Sequence, residues 1–178
     1  IHGIPDLPAE VDVYANGEIL LDDFAPGTVT DPVALPEGSY EIALTASDAA
    51  GPDDPILGPQ TVDVPGGANA SVVAHLNAGG DPTLTTFVND TSEVAAGEAR
   101  LTVRHTAAAP AVDVLANGDV LFSNLTNPNE AKGDVPEGTY SASVVPTGAT
   151  EPVVLGPADV ALTAGTNTIV YAWGSLDD

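Results

Sequence analysis

The chain has 178 residues, with 26 Asp or Glu against 3 Lys or Arg, a formal net charge of −23, and no Cys or Met. An apolar fraction of 43% supports packed cores, so wholesale disorder is excluded despite the charge. Without Cys there is no disulfide framework, zinc ribbon, iron–sulfur cluster or thiol nucleophile, and so anionic a surface argues against nucleic acid and anionic lipid as partners.

In chain order, the first signal is Val11-Asp12-Val13-Tyr14-Ala15 leading into Asn16-Gly17. Alternation puts both valines on one face and Asp12 on the other, and Asn-Gly demands a type I′ hairpin because both turn residues need positive φ. Pro36-Glu37-Gly38-Ser39-Tyr40 reads as a turn opening a strand over residues 40–44. Leu57-Gly58-Pro59 follows, then a turn at Asn69 feeding a strand over 71–76, and a further strand over Pro82–Val88. A Ser/Glu/Ala/Gly stretch over 93–98 reads as a linker.

After the linker the pattern repeats. Val112-Asp113-Val114-Leu115-Ala116-Asn117-Gly118 matches the first hairpin, and Pro136-Glu137-Gly138-Thr139-Tyr140 matches the second turn. Leu155-Gly156-Pro157 and the Asn167 turn complete the copy. Two homologous domains are expected, at 1–92 and 99–178. The fold class is all-β: two tandem antiparallel β-sandwiches of short strands punctuated by Gly and Pro. Leu101-Thr102-Val103-Arg104 precedes His105, whereas only Ile1 precedes the matching His2. Pro82–Val88 has no match after the second copy's last motif. Each copy thus lacks one terminal strand, which reads first as trimming of both ends; the alternative is functional strand exchange, because an unpaired sheet edge invites pairing with another chain.

These motifs resemble the domain of unknown function 4397, found in tandem on exported bacterial proteins, often actinobacterial. The resemblance rests on His105-Thr106-Ala107-Ala108-Ala109-Pro110-Ala111-Val112-Asp113-Val114, on the longer version that begins at His2, and on the Pro-x-Gly-x-Tyr turns. It implies an Ig-like or transthyretin-like sandwich, secreted or on the cell surface, and brings no catalytic residues with it. The start at Ile1 is read as a processed chain or a fragment, with any leader already removed. No apolar run approaches the roughly 20 residues of a membrane span, so no membrane insertion is expected.

Candidate ligand-binding residues are the matched histidines His2 and His105, the matched aspartates Asp12 and Asp113, and Trp173. A histidine between a strand and a Pro-containing loop could hold a ligand, though more often it bonds a loop carbonyl. The aspartates read as solvated strand-face residues, and Trp173 as core or interdomain packing. Candidate metal ligands are Asp22, Asp23, Asp53 and Asp54, with Asp177-Asp178 a third acidic pair. No Asp-x-Asp-x-Asp-Gly loop is present, so no resident cofactor is expected, only weak calcium binding drawn by charge. Residues 1–98 hold 17 acids and no base, whereas 99–178 hold 9 acids and 3 bases. No nucleophile elbow, phosphate loop or thiol supports catalysis. The leading expectation is a non-enzymatic structural or adhesive module that self-associates through sheet edges. The alternative is a binding module for envelope polysaccharide or divalent ions.

Overall fold

The computed structural model describes residues 1–5 and 10–176, and no helix occurs among them. The described chain divides into two compact units, one of residues 1–76 with 80–89, the other of 77–79 with 90–176. Asp177 and Asp178 lie outside the described residues.

Unit 1 contains β1 (His2–Gly3), β2 (Val11–Ala15), β3 (Glu18–Phe24), β4 (Gly38–Ala46), β5 (Leu57–Val64), β6 (Ala70–Leu76) and β7 (Pro82–Val88). They form a four-stranded sheet, β3-β2-β4-β5, facing a three-stranded sheet, β1-β6-β7. The core between them holds Ile4, Val11, Val13, Leu44, Leu57 and Leu84. Alternation along β2 supplies the valines, and β7 supplies Leu84 from the opposite sheet.

Unit 2 repeats the plan with β8 (Glu98–Ala108), β9 (Val112–Ala116), β10 (Asp119–Leu125), β11 (Glu130–Pro136), β12 (Gly138–Pro146), β13 (Leu155–Leu162) and β14 (Asn167–Ser175). Its sheets are β10-β9-β12-β13 and β11-β8-β14, around Leu101, Val103, Val112, Val114, Val144 and Leu162. The chain is therefore all-β, two sandwich-like pairs of sheets, but not purely antiparallel. β1 pairs with β6, and β8 with β14, in parallel. The whole four-stranded sheet intervenes between these partners in sequence, which gives the long crossover that a parallel pair needs.

The repeated motifs are turn and corner devices. Asn16 and Gly17 have φ of 52° and 81°, and Asn117 and Gly118 have 54° and 89°, as a type I′ hairpin requires. Each asparagine also accepts a bond from the next strand, Asn16 Oδ1 from Glu41 N and Asn117 Oδ1 from Ser141 N, both at 2.9 Å. In the Pro-x-Gly-x-Tyr turns, Tyr40 Oη donates to Pro36 O at 2.9 Å and Tyr140 Oη to Pro136 O at 2.8 Å. The hydroxyl closes the corner while the ring packs on the core.

The units differ in the three-stranded sheet. β8 is an eleven-residue strand and β1 a two-residue one. β11 pairs along β8, whereas residues 25–37 of unit 1 form no strand. Conversely, β7 covers β6, and unit 2 has no counterpart of β7 among the described residues.

Candidate functional site

Asp12 and Asp113 are buried, 4% and 6% exposed, where alternation alone predicts a solvated face. The register slips along both hairpins explain the difference, because the bulged strand curls back over the aspartate. Asp113 Oδ1 accepts from Asn124 N at 2.8 Å and Oδ2 from Gly148 N at 2.9 Å. Asp12 Oδ1 accepts from Asp23 N at 3.1 Å. The tied residues, Asp23 and Asn124, stand at φ of 51° and 54°, a left-handed conformation that the carboxylate helps to hold. The Gly148 and Asn124 amides keep the Asp113 carboxyl below its usual pKa. Asp113→Ala is expected to lower the melting temperature by about 5–10 °C, and Asp113→Asn by less, since the amide oxygen still accepts. Thermal melts followed by circular dichroism check this; equal melting of both variants and the unaltered chain would contradict it.

All three histidines are buried. His105 Nε2 donates to Pro110 O at 3.0 Å, and Nδ1 faces the Ala107 amide at 3.4 Å. Desolvation lowers its pKa against the smaller opposing effect of the Pro110 bond, so the ring is neutral and clamps its own loop. His2 Nδ1 likewise faces Ile4 N at 3.4 Å, and its ring lies 6.0 Å from that of Phe24. His2 Nε2 has no hydrogen-bond partner among the described residues, and the matching loop, 6–9, lies outside them. His75 donates from Nδ1 to Leu76 O and accepts at Nε2 from Thr85 Oγ1 on β7, both at 2.8 Å.

Trp173 occupies the position of His75 yet is 42% exposed, which corrects the expectation of a packed indole. Its strand lies at a sheet edge, and among the described residues no strand stands where β7 covers His75. The carboxylates of Asp12, Asp22 and Asp23 converge, with one oxygen of each within 4.8 Å of the others. This is the one such group among the described residues; Asp53 and Asp54 sit exposed in a loop outside it. Asp23 and then Asp12 raise the Asp22 pKa by repulsion. The matching positions in unit 2 are Ser123 and Asn124 beside Asp113, so only unit 1 carries the cluster.

Sequence reasoning does not find the cation network. All three basic side chains are paired within unit 2. Arg100 forks onto Asp134, Nε to Oδ1 at 2.7 Å and Nη2 to Oδ2 at 3.0 Å, and also meets Asp90 at 2.9 Å. Arg104, 1% exposed, pairs with Glu130 at 2.9 Å, donates to Tyr171 Oη at 2.6 Å and lies 5.4 Å from that ring's centroid. Lys132 meets Asp90 at 2.8 Å. Arg104 stands directly opposite Glu130 in the ladder, and Arg100 opposite Asp134. The cross-strand charges thus set the register of β11, a segment with no apolar alternation of its own. With every cation committed, no basic patch remains to attract an anionic ligand.

The named motif residues therefore build turns, bulges and loop clamps. What they leave open is a cluster of carboxylates in unit 1 and a sheet edge in unit 2. A chain of this construction is a tandem β-sandwich protein. The pattern defining the domain of unknown function DUF4397 matches residues 1–115, through unit 1 and as far as β9, and the chain belongs to that family. No curated protein and no solved structure matches it significantly.

Proposed function

We propose that this chain is a non-enzymatic structural or adhesive module, secreted or held at the cell surface, whose sandwiches join neighbours through their sheet edges. The observation that carries the reading is β14, an edge strand that carries exposed Trp173, with exposed Leu176 directly after it and exposed Leu155 at the start of β13. An unpaired edge beside apolar surface is a template for another strand. The high negative charge keeps such modules apart except where an edge or an ion offsets it. The carboxylates whose pKa values are lowered, Asp90, Asp113 and Asp134, each have structural hydrogen-bond or ion-pair partners, which supports a scaffold role for them. Mass by light scattering behind a sizing column tests the reading. Mass should rise with protein concentration; one-chain mass throughout would overturn it.

The convergence of Asp12, Asp22 and Asp23 favours a second reading, divalent-ion binding at unit 1. Three carboxylates are fewer than the six to eight oxygens calcium prefers, so affinity should be weak, about millimolar. The polysaccharide alternative lacks comparable support, because His2, Asp12, His105 and Asp113 are all buried. The sign of the charge effect is testable. Repulsion raises the folded-state pKa of Asp22, so folding binds an extra proton, and this contribution is lost as pH rises through that pKa. Asp22→Asn should therefore raise the melting temperature near pH 7 by roughly 1–3 °C and abolish stabilisation by calcium. Differential scanning calorimetry with and without calcium checks both; a lower melting temperature with the calcium response intact would contradict them.

A further inference from the structure

Strand direction makes the two units take tension differently. In unit 2 the entering strand β8 and the last strand β14 lie side by side and parallel, paired from Arg100 with Asn167 to Ala108 with Ser175. Glu98, where β8 begins, and Ser175, where β14 ends, therefore stand at opposite ends of one ladder. Pulling them apart slides one strand along the other, so all the pairs resist together. Among the described residues β14 pairs with no other strand, so this ladder is what must fail. Three side chains of β8 reinforce it. Thr102 Oγ1 donates to Asn167 Oδ1 at 2.9 Å, Arg104 Nη1 to Tyr171 Oη at 2.6 Å and Thr106 Oγ1 to Ala172 O at 3.0 Å. All three are at most 2% exposed, which keeps competing water from these bonds.

Unit 1 is loaded across its strands instead. β1 and β7 flank β6 on its two sides. Being parallel to β6, β1 comes in from the end where β6 starts. Being antiparallel, β7 finishes at that same end, with Val88 opposite Ala70 and Asn89 N donating to Asn69 O at 2.8 Å. A pull between the two parts the pairs of β7 one at a time, from Val88 inward. We propose that the chain carries tension along its backbone, with unit 2 as the resistant element and unit 1 as the one that yields first. This deepens the structural reading and rests on it, because tension arises only in a protein held at both ends. A strand paired outside β14 would be peeled away first and leave the β8–β14 ladder as the last to fail.

Single-molecule pulling on the whole chain, held by tags at its two ends, reads this directly. Two ruptures are expected, each releasing about 3.5 Å for every residue of one unit. The second should need at least about twice the force of the first, because forced unfolding follows the unfolding barrier rather than overall stability. Thr102→Val with Thr106→Val removes two of the three side-chain ties at nearly constant shape, and should lower the second rupture alone. Changing the direction of pull needs no weakened fold. The chain has no Cys, so Ala109→Cys supplies a single handle just past β8, at the end where β14 finishes. Pulling between that handle and the C-terminal tag peels β14 from β8, and unit 2 should then yield at no more than about half the force. An equal force in both directions overturns the proposal, as does a unit 1 that withstands as much as unit 2. Light scattering on the same chain separates the two readings. One-chain mass with the direction-dependent rupture leaves the tension ladder standing without edge assembly, and oligomers whose rupture ignores direction leave edge assembly standing alone.

Discussion

Gly156→Ala is expected to destabilise the chain by about 3 kcal/mol, and Gly58→Ala by a similar amount. Two effects add at each site. The backbone stands at φ of +92° at Gly156 and +90° at Gly58, where a side chain is strained. A methyl group would also come within 2.6 Å of Ala142 O at Gly156 and 2.5 Å of Ile42 O at Gly58. These are backbone atoms of the neighbouring strand, so no side chain can move aside. Gly165→Ala is the control, because its φ is +75° and nothing lies within 4 Å of the added carbon. That change should cost only about 1 kcal/mol. Urea unfolding of the three variants tests the argument. Equal losses at Gly156 and Gly165 would show that close approach of the strands contributes nothing.

Glu130→Ala is expected to cost about 3 kcal/mol, because it leaves the buried Arg104 guanidinium without the Glu130 carboxylate. The Tyr171 ring and hydroxyl remain beside it but carry no compensating charge. Replacing both partners, Arg104→Met with Glu130→Ala, should recover much of the loss by removing the buried charge itself. Lys132→Ala, at a half-exposed pair with Asp90, should leave the melting temperature nearly unchanged. Chemical denaturation of the single and double variants reads the coupling directly. A double variant no more stable than Glu130→Ala would mean that Arg104 contributes through packing rather than charge.

Local signals in the sequence carry much of this fold. The Asn-Gly hairpins, the Pro-x-Gly-x-Tyr corners and the matched Leu-Gly-Pro turns are short-range devices whose residues state their own geometry. The duplication was legible because those devices recur in one order. Features set by distant neighbours were not legible. β11 forms because Glu130 and Asp134 meet arginines on β8, and nothing within residues 130–136 announces a strand. Asp12 and Asp113 look solvated by alternation, yet bulged strands fold over them. Trp173 looks like core, and is bare because its edge is uncovered. Of the candidate site, Asp22 and Asp23 were visible as an acidic pair, but their meeting with Asp12 depends on the hairpin register.

The proposed assembly through sheet edges makes β14 an open edge that pairs with another chain, whereas β6 is already satisfied by β7. Hydrogen–deuterium exchange measured across a range of protein concentrations tests it most directly. Segments from β6 should be protected at every concentration. Segments from β14 should exchange fast when dilute and gain protection as the chain is concentrated. Protection of β14 that equals that of β6 in dilute solution, and does not change with concentration, would contradict the account.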